Sequence, residues 1–287
     1  MPMTINTNMQ SLNAQRNLAT SQSSLALSMQ RLSSGLRVNS AKDDAAGLAI
    51  AERMNSQVRG MNVAIRNAND GISMSQTVEG ALGKVTDSLQ RMRELSVQAA
   101  NATNSNADKD SLDKEFGELS KEIQRVLGGT TFNGKHVLGT DAAVHTFQVG
   151  ANTSSNDTID ITTTNMTTDA TLTTVAGTDN TGAGRAVIDN TAGAAAIRTV
   201  IDNIDTALDT VNGQRAIMGA SQSRFDSVIS SLQVNVENQS AARSRIMDTD
   251  FAAETANLSR ANILQQAGNA MVAQANQLPQ QVLSLLR

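Results

Sequence analysis

Between Phe251 and Arg287 the apolar and small residues fall on one line. Asn257, Ala261, Leu264, Gly268, Met271, Ala275, Leu278, Val282 and Leu285 are separated by steps that alternate between four and three. That spacing predicts a heptad stripe on an α-helix. Gln265, Gln266, Asn269, Gln274, Asn276, Gln277, Gln280 and Gln281 fill much of the remaining surface, so it carries little charge. Pro279 falls inside the stripe and predicts a kink or a freed backbone carbonyl. Ordering a residue's backbone costs about 1–2 kcal/mol, while a large apolar side chain returns about 1.5–3 kcal/mol only when fully buried. The segment is therefore expected to be loose alone and to order against partners. The competing reading of the same stripe is a core helix of an ordinary bundle.

The other end of the chain mirrors this pattern. Ile5, Leu12, Ala19 and Ala26 recur every seven residues, as do Leu18, Leu25 and Leu32, and also Met29 and Leu36. Asn, Gln, Ser and Thr again supply the polar remainder. Two such ends are expected to pack on each other and on further copies of the chain. Gly35 and Val38-Asn39 interrupt the pattern, and Ser40 with Asp43 suggests a variant capping box opening a new helix. Asp43-Asp44 is better explained as first-turn carboxylates favoured by the helix dipole than as a metal site.

One long helix is predicted from Lys42 to about Ala100. Its apolar face opens with Ile50, Met54, Met61, Ile65, Ala68 and Ile72 and continues through Val78, Leu82, Val85, Leu89 and Met92. Asn69-Asp70-Gly71 alone would signal a turn; the periodicity on both sides predicts that the helix runs through it. After a polar break, Asp108 is the expected N-cap of a helix carrying Leu112, Phe116, Leu119, Ile123 and Val126, which Gly128-Gly129 ends. Asn133-Gly134 marks a hairpin turn. His145, Phe147 and Val149 alternate with polar residues as in a strand, and Ile159 and Ile161 suggest another.

Residues 163–193 hold mostly Thr, Asn, Asp, Ala and Gly. They are expected to bury too little for a domain and to form an exposed tip. From about Gly193, Ile197, Ile201, Ile204, Leu208, Val211, Arg215, Met218, Gln222, Phe225, Ile229, Leu232 and Val236 step by four and three again. Arg215 and Gln222 break this stripe, where polar residues can fix register. The helix is predicted to pass through Asn212-Gly213. Met247-Asp248-Thr249-Asp250 is a joint before the last helix. The chain thus goes out and comes back. The predicted fold is mainly α: a long antiparallel bundle or coiled coil with a small β-hairpin region, a rod with its N- and C-terminal helices paired.

The chain has 287 residues, enough for one large domain or two. It has no Cys, Trp or Tyr and only five Phe, so its core must be built from aliphatic residues and Met, which suits helices packed side by side. Without Cys there are no disulfides or thiolate zinc sites. A net charge of −4 provides no electrostatic case for nucleic acid or an anionic membrane. No segment nears the roughly 20 apolar residues of a membrane span, and residues 1–30 show no signal-peptide run. His136 and His145 lack metal-ligand spacing, and no P-loop, dinucleotide fingerprint or nucleophile elbow occurs. No enzyme, cofactor or metal is therefore expected. Asn-x-Ser/Thr triplets such as Asn152-Thr153-Ser154 are mostly chance in so Thr- and Asn-rich a chain.

Several longer motifs carry a resemblance. They are Ile5-Asn6-Thr7-Asn8, Leu32-Ser33-Ser34-Gly35-Leu36-Arg37 and Asn39-Ser40-Ala41-Lys42-Asp43-Asp44-Ala45-Ala46-Gly47. Others are Arg66-Asn67-Ala68-Asn69-Asp70-Gly71-Ile72-Ser73, Arg91-Met92-Arg93-Glu94-Leu95 and Phe132-Asn133-Gly134. Ser240-Ala241-Ala242-Arg243-Ser244-Arg245-Ile246 and Asp248-Thr249-Asp250-Phe251-Ala252 complete the set. With them the chain resembles the bacterial flagellins, in a short form lacking large outer domains. The resemblance implies a hollow helical filament for swimming, with residues 1–39 and 251–287 as its inner tube. Residues 40–162 and 194–250 would form the outer tube and 163–193 a short exposed variable insert. Leu12, Leu18, Leu25, Leu32, Leu264, Met271, Leu278, Val282 and Leu285 would build the filament core. It further implies contacts with the flagellar cap and hook-junction proteins, an export chaperone, secretion through the flagellar apparatus without a cleaved signal, and an extracellular location. Arg91, Leu95 and Glu122 match residues by which many flagellins meet the innate immune receptor TLR5; a surface salt bridge between Arg91 and Glu122 is the plainer explanation of those charges. A hook–filament junction protein or an adhesin on the same plan is the alternative reading.

Overall fold

A computed structural model describes the backbone of residues 7–285 and the side chains up to Gln277. In order the elements are α1 (Met9–Ser34), α2 (Ala45–Ala99), α3 (Asn106–Gly129), the strand pair β1 (Thr131–Phe132) and β2 (Lys135–His136), and β3 (Val144–Gln148). A 3-10 turn (Ser155–Asp157), β4 (Thr158–Thr162), α4 (Ala170–Ala176), α5 (Ala194–Met247) and α6 (Phe251–Leu285) follow. The fold is mainly α, and both long helices run through their internal Gly positions as the periodicity predicted. The chain divides into two compact units: residues 57–236, and residues 1–56 with 237–287.

Helix starts differ from expectation in two places. Ser40 and Asp43 close a turn rather than cap α2; the capping residue is Asp44, whose side chain accepts from the Gly47 N–H at 2.8 Å. In α3 the N-cap is Ser105, and Asp108 is its partner in a capping box. A hydroxyl that accepts from the third helical N–H leaves the carboxylate free to reach back to the cap N–H, so both orphan donors are used. α3 does end at Gly129, but on an extended Thr130 and not on a left-handed glycine.

In the unit of residues 57–236, the α2 stripe Val78, Leu82, Val85, Leu89 and Met92 is fully buried. Along α5 every second member of the predicted stripe, from Ile197 through Ile204, Val211, Met218 and Phe225 to Leu232, is buried. α2 and α5 are antiparallel: Arg93 meets Asp205, Glu79 meets Gln222, and Gly71 meets Phe225. Gln222 donates to the Glu79 carboxylate at 2.9 Å, so one polar interruption of the stripe does tie the two helices in register. Ser75, Thr86 and Ser96 face the same core and bond carbonyls one turn back on their own helix, which leaves no hydroxyl unsatisfied. The short pair β1–β2 turns at Asn133-Gly134, and β3 pairs antiparallel with β4. Phe147 of β3 meets Phe225 edge to face, with ring centroids 5.7 Å apart.

The stretch 163–193 is not an exposed tip. Met166, Leu172, Val175, Ala176 and Ile188 are completely buried in the same core as α2, α3 and α5. Ser120 and Gln124 of α3 donate to the carbonyls of Ala176 and Gly177 at 2.7 and 2.5 Å. Arg185 grips Asp113 through two hydrogen bonds, 2.9 and 2.5 Å, and the same carboxylate accepts from the Ile188 N–H. A segment poor in apolar residues needs no core of its own when each one it has enters an existing core. Burial opposes ionisation of Asp113, but its bonds to Arg185 and Ile188 outweigh that and hold its pKa below the usual value.

Two predictions follow from this packing. Arg185→Met leaves a buried carboxylate unpaired and should destabilise the protein by about 3 kcal/mol at neutral pH in urea unfolding. Because the Asp113 pKa is depressed, its contribution exists above the ordinary carboxylate value of about 3.9 and is lost as pH falls through the lower folded value, so the mutational cost should shrink in acid. A Cβ on Gly71 would lie 2.6 Å from the Phe225 ring, whereas one on Gly80 meets nothing within 4 Å. Gly80→Ala should therefore stabilise by up to about 1 kcal/mol, and Gly71→Ala should destabilise despite the same helix gain.

Candidate assembly interface

The terminal unit is built on an antiparallel pair, α1 with α6. On α1 the buried and half-buried positions are Ser11, Ala14, Leu18, Ser21, Leu25, Ser28 and Leu32, spaced three and four apart, with Arg31 beside the last. On α6 they are Glu254, Leu258, Ala261, Gln265, Gly268, Val272 and Ala275, in the same rhythm. Small side chains let the helices approach: a Cβ added to Gly268 would sit 3.1 Å from Leu18 Cδ1. Amides fasten the far end. Asn8 caps α1 and donates to the Ala275 carbonyl at 2.7 Å, and the Ser11 hydroxyl donates to Asn276 at 2.7 Å. At the near end Arg31 lies 4.0 Å from the buried Glu254 carboxylate.

The two joints also meet. Gly35 ends α1 in the left-handed conformation (φ 70°), and its carbonyl accepts from the Thr249 N–H. Arg37 N–H donates to the Met247 carbonyl at 2.6 Å, and Val38, Ala51 and Met247 form a small core behind this contact. Asp250 then caps α6, accepting from the Ala252 N–H at 2.9 Å. The last helix is thus ordered within the chain against α1, where the sequence suggested order only against partners.

Of the nine predicted filament-core residues, six have described side chains, and this seam uses three of those six. Leu18, Leu25 and Leu32 are half-buried in it. Leu12, Leu264 and Met271 point away and are 49%, 51% and 59% exposed. Leu278, Val282 and Leu285 have side chains outside the described residues. Met9, Leu27, Met29, Phe251 and Ile263 are exposed as well. Of these, the sequence reading passed over Met9, Leu27 and Ile263; they emerge only when the residues spent on the intrachain seam are subtracted. So many exposed large apolar side chains make this helix pair the candidate interaction surface.

The predicted recognition residues separate. Arg91 donates to Glu115 at 2.8 Å and to Glu94 at 2.9 Å, and these bonds raise its pKa. Glu122 instead pairs with Arg125, which lowers its pKa. There is no Arg91–Glu122 bridge: successive turns of α3 pass α2 in the opposite direction, and the turn level with Arg91 carries Glu115. Leu95, one turn beyond Arg91, is buried at 1% exposure and presents no surface.

The fold is that of a mainly helical protein whose two ends pair and leave large apolar side chains exposed. Comparison with known proteins names the kind. Residues 5–143 match the bacterial flagellin N-terminal helical region, and residues 201–286 match the C-terminal helical region. A flagellin from Halalkalibacterium halodurans is 45% identical over 99% of this chain and all of its own length. One from Bacillus subtilis is 41% identical over 99% of this chain and its full length. The crystal structure of Bacillus cereus flagellin superposes with a TM-score of 0.48, at 33% identity over 58% of this chain and 88% of its own. The chain belongs to the bacterial flagellin family. It is a structural subunit of the flagellar filament and not an enzyme.

The corrected ion pairing is testable. In double-mutant cycles followed by thermal unfolding, Arg91→Ala with Glu115→Ala should show coupling, and Arg91→Ala with Glu122→Ala should be additive.

Proposed function

We propose that copies of the chain polymerise through the outward stripes of α1 and α6 into a hollow helical filament that serves swimming. The observation that carries this reading is the exposed set Leu12, Met29, Ile263, Leu264 and Met271 on a pair whose inner seam is already filled. Residues 1–39 and 251–287 then form the inner tube. Residues 40–162 and 194–250 form the outer tube, and 163–193 belongs with them rather than outside. Seams between copies bury apolar area at roughly 25 cal/mol per Å², repeated along every subunit, so weak single contacts sum to a stable polymer.

Family membership supports the remaining steps: handling by an export chaperone, passage through the flagellar secretion apparatus, capping, and attachment through hook-junction proteins to an extracellular filament. Recognition by TLR5 rests on the resemblance at Arg91. The geometry favours Arg91 with Glu94 and Glu115 as the exposed group such a receptor would meet, since Leu95 is buried and Glu122 is paired elsewhere.

Seeded polymerisation watched by electron microscopy tests the assembly reading. Leu264→Asp with Met271→Asp should abolish filaments while circular dichroism shows an unchanged helical monomer, because neither side chain lies in the intrachain seam. Full-length filaments from that variant would remove the outward stripe from the interface. A wild-type chain that stays monomeric under seeding would favour a junction protein or adhesin. Loss of receptor signalling on Arg91→Ala with Glu115→Ala, in folded protein, would support recognition; unchanged signalling would remove it.

A further inference from the structure

The chain contains two Asn-Gly pairs, Asn133-Gly134 and Asn212-Gly213, and the fold treats them oppositely. Asn212 and Gly213 lie inside α5, where the Gly213 N–H is committed to the helical ladder. Asn133 and Gly134 are the two residues of the turn between β1 and β2, set by the pairing of Phe132 with Lys135. Among the described residues Asn133 is the one non-glycine at positive φ, 49°, and Gly134 follows at 79°. Both are exposed, and beyond Gly134 and its two chain neighbours no heavy atom lies within 4 Å of where a Gly134 Cβ would sit. Among the described residues no acceptor holds the Gly134 N–H.

We infer that Asn133 is a site of spontaneous deamidation and isoaspartate formation in the folded protein. The deprotonated Gly134 nitrogen attacks Asn133 Cγ. The new N–Cγ bond closes a five-membered imide, the Cγ–Nδ2 bond breaks, and ammonia leaves. Water then opens the imide. Attack at Cγ breaks the Cγ–N bond and yields aspartate; attack at the main-chain carbonyl breaks the peptide C–N bond and yields isoaspartate. The net reaction consumes one water and releases one ammonia, with no change of oxidation state. Glycine favours the first step because no side chain crowds the attacking nitrogen and its backbone turns freely. The helix blocks the same step at Asn212 because the nitrogen is bonded and the backbone is fixed away from the side-chain carbon.

The products carry a structural consequence. Isoaspartate inserts an extra carbon into the main chain of a two-residue turn, so the register that sets Phe132 opposite Lys135 and Thr131 opposite His136 cannot be kept. Phe132, Asn133, Lys135 and Val137 also line a cavity of about 320 Å³ with Met74, His145 and Phe147, so the loss of register reaches the wall of that cavity.

The test is to age the purified full-length protein at mildly alkaline pH and map its peptides by mass spectrometry, with isoaspartate distinguished from aspartate by fragmentation. In the native protein, conversion at Asn133 should exceed that at Asn212 by more than about tenfold, the factor that 1.4 kcal/mol of helix opening imposes. In denaturant the two sites should convert at similar rates. Aged protein should also exchange amide hydrogens faster at residues 131–136, and Asn133→Gln protein should not. Native conversion at Asn133 no faster than at Asn212 would overturn the inference, as would unequal rates in denaturant that already account for the native difference.

Discussion

Two helices lying side by side can shield only one stripe of each other. That limit governs the terminal unit. α1 and α6 carry more apolar surface than one shared seam can cover, and the seam they form is filled with Ser, Ala and Gly as much as with Leu. The small residues bring the helices close, and the large ones left over, Met9, Ile263, Leu264 and Met271 among them, stay in water. The pair therefore leaves part of its own apolar surface uncovered. An inward stripe that alternates small residues with Leu18, Leu25, Leu32 and Leu258, while other large residues stay outside, distinguishes this pair from a bundle core, where the large side chains face in.

The unit of residues 57–236 meets the same limit differently. There α2 and α5 each bury a long stripe because α3, the two strand pairs and α4 join them around one core. With five Phe in the chain, aromatic packing is sparse and local: Phe225 seats against Gly71 and Phe147, and Phe116 lies beneath the Arg185 guanidinium, 6.0 Å from its ring centre. Each ring is thus placed at a junction between a helix and a smaller element, where a broad side chain fills an irregular gap.

Most of the helical plan was legible because heptad spacing survives over many turns and overrides a local signal such as Asn69-Asp70-Gly71 or Asn212-Gly213. What was lost lay in the choice among residues that look alike. Ser40-x-x-Asp43 and Ser105-x-x-Asp108 have the same pattern, yet the second caps a helix and the first closes a turn before Asp44. The stretch 163–193 looked unfoldable by composition, which counts apolar residues without knowing that Asp113 and Ser120 wait to receive their neighbours. The stripe on α6 showed its members but not their direction: Ala261, Gly268 and Ala275 turn inward, while Leu264 and Met271 turn out. Only the position of α1 decides that. Glu115 and Glu122 are likewise one heptad apart on a single helix, and nothing short of the antiparallel alignment of α2 and α3 says which one Arg91 finds.

The bond from Asn8 to Ala275 joins residues 267 positions apart, whereas Glu79 and Gln222 are separated by 143 and Arg93 and Asp205 by 112. Loop-closure entropy penalises the longest connection most when nothing has formed, and far less once the shorter ones have drawn the chain together. Loop-closure entropy alone therefore places the pairing of α1 with α6 after the closure of α2 on α5. On that ordering α1 has no partner until the last residues of the chain are present, so the outward stripes of α1 and α6 come to lie side by side only in the whole polypeptide.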